Sequence, residues 1–434
     1  MRIIALFVVI ALAGCLSDNG NNPTDPNTPP PYTFEGTTED AVAAKLAGNE
    51  SANIELLGTW EQGGAAEADI WGPYMAVMRA GNAHILDISN PEDIVELSVI
   101  TETPRVLDVK WSHDGEYLFI GDDTQATNEI TNDVLGRTGG FYVVNTTDKT
   151  APRLVSYLPV GLLRGPHMVD YFLAEDGTEL VMGANADVSI NVFDRKTETL
   201  TEVARYAPNY VTDVERTPDT FDVLYQLYAH DMFAMNDPEL GDVMYVANWD
   251  AGVRIVDIND PSNPVEIGAW SDFPAGDSGN VHTVSTEWVG DKRITVASAE
   301  IGFAVVGGVP YVLGTEQAVD YVLDTTDPSN IKLIGRWENP EGLTAGRSDL
   351  GEPLYSTHNM QLEGGLVYLA HYQLGVWVYD ALTLETLAYY AEPGWSTWDV
   401  VLRDGVMWTS GSEGVHALHY LPDRMDAFGK DSRA

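Results

Sequence analysis

Four short segments carry the side chain best suited to a transition metal: His167-Met168-Val169, His230-Asp231-Met232, His282-Thr283-Val284 and His358-Asn359-Met360. A neutral imidazole offers one nitrogen lone pair to a metal and one N–H to a partner that fixes the ring. In each segment the His stands two residues before the Val or Met on which the units align. Three further segments share the pattern with another residue in the first slot: Ala68-Asp69-Ile70, Leu107-Asp108-Val109 and Trp398-Asp399-Val400. The slot thus occurs seven times, and His fills four consecutive copies. With only 9 His in 434 residues, that is far above chance. Asp69, Asp108, Asp231 and Asp399 fall one position further on as supporting or channel acids. If the seven segments surround one axis, their imidazoles converge on a candidate metal site for Fe, Cu, Zn or Mn. The alternative is a polar ring that lines a water-filled channel or bonds to the backbone of its neighbours. No catalytic residue is identified.

The elements that must position these residues are read from a repeat. The stretch from Val243 to Trp270, VMYVANWDAGVRIVDINDPSNPVEIGAW, reads as three short strands rich in β-branched and aromatic residues, separated by Asn-, Asp- and Pro-bearing turns. Copies of its strand that ends in an acid or amide recur with Asp87, Asn145, Asp194, Asp257, Asp324 and Asp380 in one position, where an Asx side chain caps a tight turn. Each is preceded by a strand pair, and the His slots open the first strand of each unit. A seventh unit, from Trp398 onward, lacks its outer strand, and the orphan segment NIELLGTWEQ at 53 to 62 resembles that strand. The expected fold is all-β: a seven-bladed β-propeller, with six to eight blades left open by the uneven spacing, its last blade closed by the N-terminal strand. The first strand of each blade lies nearest the axis. The turn after the second strand opens on the same face as the His slot and carries His371, Trp249, Asp122 and Asp123; His371 and Trp249, with Trp398 of the seventh slot, make a candidate ligand face. Long insertions at 123–138, 207–229, 303–318 and 341–357 are placed to cover that face.

The stretch VMYVANWDAGVRIVDINDPSNPVEIGAW resembles the LVIVD repeat, a β-propeller-type module of secreted and surface proteins in prokaryotes. That resemblance implies the fold and assigns no catalytic residue.

The chain begins MRIIALFVVIALAGC, one Arg and then a short apolar run, which reads as a secretion signal. Leu12-Ala13-Gly14-Cys15 resembles the lipobox of prokaryotic lipoproteins, which implies cleavage before Cys15 and a lipid on it. Cys15 is the single cysteine, so no disulfide forms within the chain. The organisation expected is a signal peptide over 1–14, a lipidated Cys and flexible tether over 15–50, the propeller over 51–425, and a tail over 426–434. With 23 basic against 66 acidic residues, the net charge of −43 excludes nucleic acid as a partner.

These readings leave three functions: a lipid-anchored cell-surface propeller that binds an unknown surface ligand or protein, a metal-dependent oxidoreductase or hydrolase built on the four His, and a structural envelope protein.

Overall fold

The computed structural model describes residues 53–422 except 102–105, 125–138, 161–164, 186, 209–228, 250, 276, 278, 301, 307–308, 314–318, 340–355 and 393–394. The signal, the tether with Cys15, the tail and most of the long insertions lie outside the described residues. Within them the chain forms seven four-stranded antiparallel sheets arranged as the blades of a β-propeller. Blades 1 to 4 start from the inner strands Ala65–Trp71, Val106–Trp111, Met168–Leu173 and Asp231–Asp237. Blades 5 to 7 start from Val281–Val289, Met360–Glu363 and Thr397–Arg403. Blade 7 takes its outer strand from the start of the chain: Ile54–Trp60 pairs antiparallel with Gly414–Tyr420, from Ile54 opposite Tyr420 to Trp60 opposite Val415. The ring is therefore closed by a strand pair, which leaves no open edge between first and last units.

Why the sequence does this is visible in its burial. The second strands Tyr117–Asp122 and Glu179–Asn185 are buried along their whole length, since each face meets a neighbouring blade. Such strands are apolar throughout instead of alternating. Apolar clusters fill every blade interface, for example Val109, Trp111, Leu118 and Ile120 of blade 2 against Ala76, Met78 and Ile85 of blade 1. Each fully buried Val, Ile or Leu contributes roughly 1.5–3 kcal/mol.

The repeated turn and the repeated outer strand lock blade to blade. All six Asx side chains picked out by the repeat accept a hydrogen bond from the backbone N–H two residues on, at 2.9 to 3.2 Å. Every third-to-outer strand pair carries a β-bulge. At Gly58 and Gly268 the bulged outer strand lies against the turn of the following blade. A Cβ on Gly268 would stand 2.6 Å from the Pro328 carbonyl oxygen, so only glycine fits. Trp60 and Trp270, which end such strands, and Trp337, one residue before the end of Lys332–Glu338, are buried in the interfaces.

Two of the four insertions lie within a blade, where connections between blades are expected. Residues 123–138 fall between the second and third strands of blade 2, Tyr117–Asp122 and Gly140–Asn145, and Gly302–Val306 and Val309–Leu313 pair as a separate hairpin between the second and third strands of blade 5. Both still leave their blades on the side of the His slot, because they follow the second strand.

Candidate metal centre

The inner strands bring the four predicted histidines together. Their ring centroids follow one another at 4.8 Å (His167 to His230), 3.8 Å (His230 to His282) and 4.3 Å (His282 to His358). All four are at most 2% exposed. Two local devices aim them. In blades 3, 4 and 6 the His precedes the first paired residue, and its backbone N–H donates to Ala184, Ala247 and Ala370 in turn. In blade 5 the register shifts between Val281 and Thr283, so His282 is the extra residue of a bulge and its side chain turns to the axis.

Hydrogen bonds fix the tautomers. His230 Nδ1 lies 2.9 Å from the His282 carbonyl oxygen, and His358 Nδ1 meets that of Trp398. A carbonyl only accepts, so the proton sits on Nδ1 and the neutral ring carries its lone pair on Nε2. His167 Nδ1 is 3.3 Å from Asp123 Oδ2. Burial, followed by the neighbouring histidines, pushes His282 well below the usual imidazole range. Burial takes His358 down to about 4. These two are therefore neutral at pH 7, the form that ligates.

Glu300, which the sequence reading did not single out, completes the set. It follows the second strand of blade 5, in the turn class that also supplies Asp123 and Trp249, and that position is the signal that points to it. Its Oε2 is 3.3 Å from His282 Nε2, and its Oε1 is 3.9 Å from His358 Nε2 and accepts from the Tyr372 hydroxyl. Burial raises its carboxyl to about 8. One ligand atom from each of His230, His282 and Glu300 lies within 4.8 Å of the others. Two imidazoles and a carboxylate suit a first-row divalent ion.

Trp249 walls the cluster, its ring 5.4 Å from that of His230 at 29°. Trp398 stands in the blade 7 slot, where its carbonyl accepts a hydrogen bond from His358 Nδ1–H and its indole donates to Ser396 at 3.0 Å. The imidazole of His371 is not among the four. It is fully buried, 6.4 Å edge-on from Trp337 of blade 5, and the neighbouring Tyr372 packs on His358 instead, at 4.9 Å.

The predicted acids form a girdle directly below the histidines, and the bonds between blades define its register. Asp399 accepts from Ala68 N–H, Asp108 from Val169 N–H, and Asp231 from the Thr283 hydroxyl. One step lower, Asp69 accepts from Trp111 N–H and Asp170 from Ala234 N–H. Ala68 thus takes the place of Val169, which shifts blade 1 by two residues from the alignment read in sequence. Glu67 fills the acid slot there, and Asp69 belongs to the lower ring with Asp170. The cause is a bulge between Ala65 and Ala68, which a pattern of buried residues does not register. Burial raises Glu67 and Asp399, and takes Asp69 to about 6, Asp231 to about 7 and Asp170 to about 8. Lys110 lies among them, 3.3 Å from Asp108. Burial alone would lower its ammonium, but Asp108 and Asp69 raise it well above the usual value.

Fold and repeat together make this a seven-bladed β-propeller. The family model of the LVIVD repeat matches residues 240–272, which is the fourth blade's second, third and outer strands. The crystal structure of the WD40 beta propeller domain of Doa1 is similar at a TM-score of 0.52 and 11% identity, over 84% of this chain and 96% of that one. That likeness carries the fold alone. No curated protein matches the sequence.

Proposed function

We propose that this protein is a lipid-anchored, extracytoplasmic propeller that binds a first-row transition metal on its axis and uses the face around it to recognise a surface ligand or protein. The observation that carries the metal reading is the convergence of His230, His282 and Glu300, buried and with donor atoms within 4.8 Å of one another. The anchor rests on the lipobox-like Leu12-Ala13-Gly14-Cys15. The full chain, purified without a polyhistidine tag, is expected to retain a stoichiometric metal by elemental analysis, and His230→Ala with His282→Ala to lose it. Metal content that is absent, or unchanged in the double variant, sinks the reading. Cys15→Ser is expected to move the protein from the membrane fraction to the soluble extracytoplasmic one; a variant still held at the membrane removes the lipid anchor.

One observation favours an enzymatic variant of this reading. A donor set of two His and one carboxylate leaves coordination positions open for a substrate or water, as in metal-dependent oxidoreductases and hydrolases. Metal-dependent turnover that disappears in Glu300→Gln would support it, and a metal-loaded protein inert towards ester, phosphoester and dioxygen-linked substrates would count against it.

A further inference from the structure

Two turns on the metal face are built alike. In blade 4, Asn248 N–H donates to the Gly252 carbonyl, Ala251 to Asn248 and Gly252 to Trp249. In blade 6, His371 donates to Gly375, Leu374 to His371 and Gly375 to Tyr372. Each turn holds an aromatic residue in the left-handed backbone region, Trp249 at φ 46° and Tyr372 at φ 39°. That region is costly for a bulky side chain and is kept only where the surroundings demand it. Both aromatic rings lie against the histidine cluster. The difference between them is chemical: Tyr372 adds a hydroxyl, and it donates that hydroxyl to Glu300.

Glu300 needs such a partner. It is 2% exposed, and its Oε2 has no hydrogen-bond partner among the described residues, although it faces His282 at 3.3 Å. His282 Nδ1 likewise has none. A buried carboxylate oxygen turned towards imidazoles without a donor is costly unless the carboxyl holds a proton or a cation lies between them. Among the described residues the donors are nitrogen and oxygen, with no sulfur: Met168, beside His167, packs into the apolar core between blades 3 and 4.

We propose that the Tyr372–Glu300 pair is the selectivity element of this centre. Glu300 supplies the one anionic oxygen donor and Tyr372, as a positioning residue, holds it, so the site takes a divalent first-row ion and discriminates against soft monovalent copper. This rests on the metal reading above, and the experiment separates the two. The untagged full chain is titrated with Co2+, with Zn2+ and, without oxygen and under a competing chelator, with Cu+. Co2+ is expected to bind with visible absorption bands of a site below six-coordination, and Zn2+ more tightly than Cu+. Tyr372→Phe is expected to weaken Zn2+ and Co2+ by about 10–100-fold and to shift the Co2+ bands, with Glu300→Gln weakening them at least as much. Thermal unfolding without metal checks that each variant folds, and if Glu300→Gln does not, Tyr372→Phe carries the test. Unchanged affinity and bands in the variants, or tighter Cu+ than Zn2+ in the wild type, overturn the selectivity element and leave a histidine metal site standing. A wild type that binds none of the three ions overturns the metal reading and this inference with it.

Discussion

Replacing Lys110 by Met should destabilise the propeller by an amount that grows with pH. The ammonium lies 3.3 Å from a fully buried carboxylate, Asp108, with 26% of the Lys side chain accessible. At an effective dielectric constant of 20 the Coulomb attraction at that distance is about 5 kcal/mol, an upper bound before desolvation. Removing one partner of a buried pair typically costs about 3–5 kcal/mol, because the other charge is left behind. Around Lys110 the cost depends on how many neighbours are ionised. Asp69 and Asp170, with folded values of about 6 and 8, are protonated at pH 5 and ionised at pH 9. A carboxyl raised in this way stabilises the fold fully below its unfolded value near 4, and that contribution is lost as pH rises through the folded value. Without Lys110 the loss is steeper. The expected cost of Lys110→Met is about 2 kcal/mol at pH 5 and about 3–5 kcal/mol at pH 9. Urea unfolding at both pH values, read as midpoint shifts at constant slope, measures it. A cost independent of pH, or greater at pH 5, refutes the picture of a girdle whose charge Lys110 offsets.

The wild-type protein should lose stability as pH rises above about 6.5. Asp170 alone removes up to roughly 6 kcal/mol as pH rises from about 4 to 8, while His371, lowered to about 4 by burial, offsets that loss by up to roughly 3 kcal/mol between pH 4 and 6.5 and not above; thermal melts that rise from pH 6.5 to 9 would contradict this. Gly268→Ala should cost about 1–3 kcal/mol, because its Cβ meets the Pro328 carbonyl of the next blade, and a loss no greater than that of Gly64→Ala, whose added Cβ would come no nearer than 3.7 Å to Trp398, would deny the interlock. Deleting residues 53–60 should expose the edge of Gly414–Tyr420 and give aggregation or loss of the cooperative transition; a monomer that melts like the wild type would show that closure is dispensable.

The fold was legible because its rules are local. Asx caps, DG and GG turns and β-branched runs recur in phase, and the seventh unit's unpaired strand leaves one solution for Ile54–Trp60. The four histidines were legible for the same reason, since a repeat turns sequence position into spatial position. Two things were not. The bulge between Ala65 and Ala68 changes which side chains face the axis without changing the apolar pattern, so Glu67 was hidden behind Asp69. Glu300 and Tyr372 come from turns in different blades, and their meeting depends on ring closure and on a left-handed residue that composition does not announce. His371 shows the converse: it stands in the right turn, but that turn directs its ring into the blade 5 interface and gives the axis to Tyr372.

The central claim is that His230, His282 and Glu300 hold one metal ion on the propeller axis. Anomalous diffraction from crystals of the full chain, collected on both sides of the absorption edge of the metal it carries, tests this most directly. The account predicts a single strong peak between the His230, His282 and Glu300 side chains, present above the edge and lost below it, and absent from the His230→Ala, His282→Ala variant. No peak there, or one at the surface while the three side chains keep to hydrogen bonds among themselves, would contradict it.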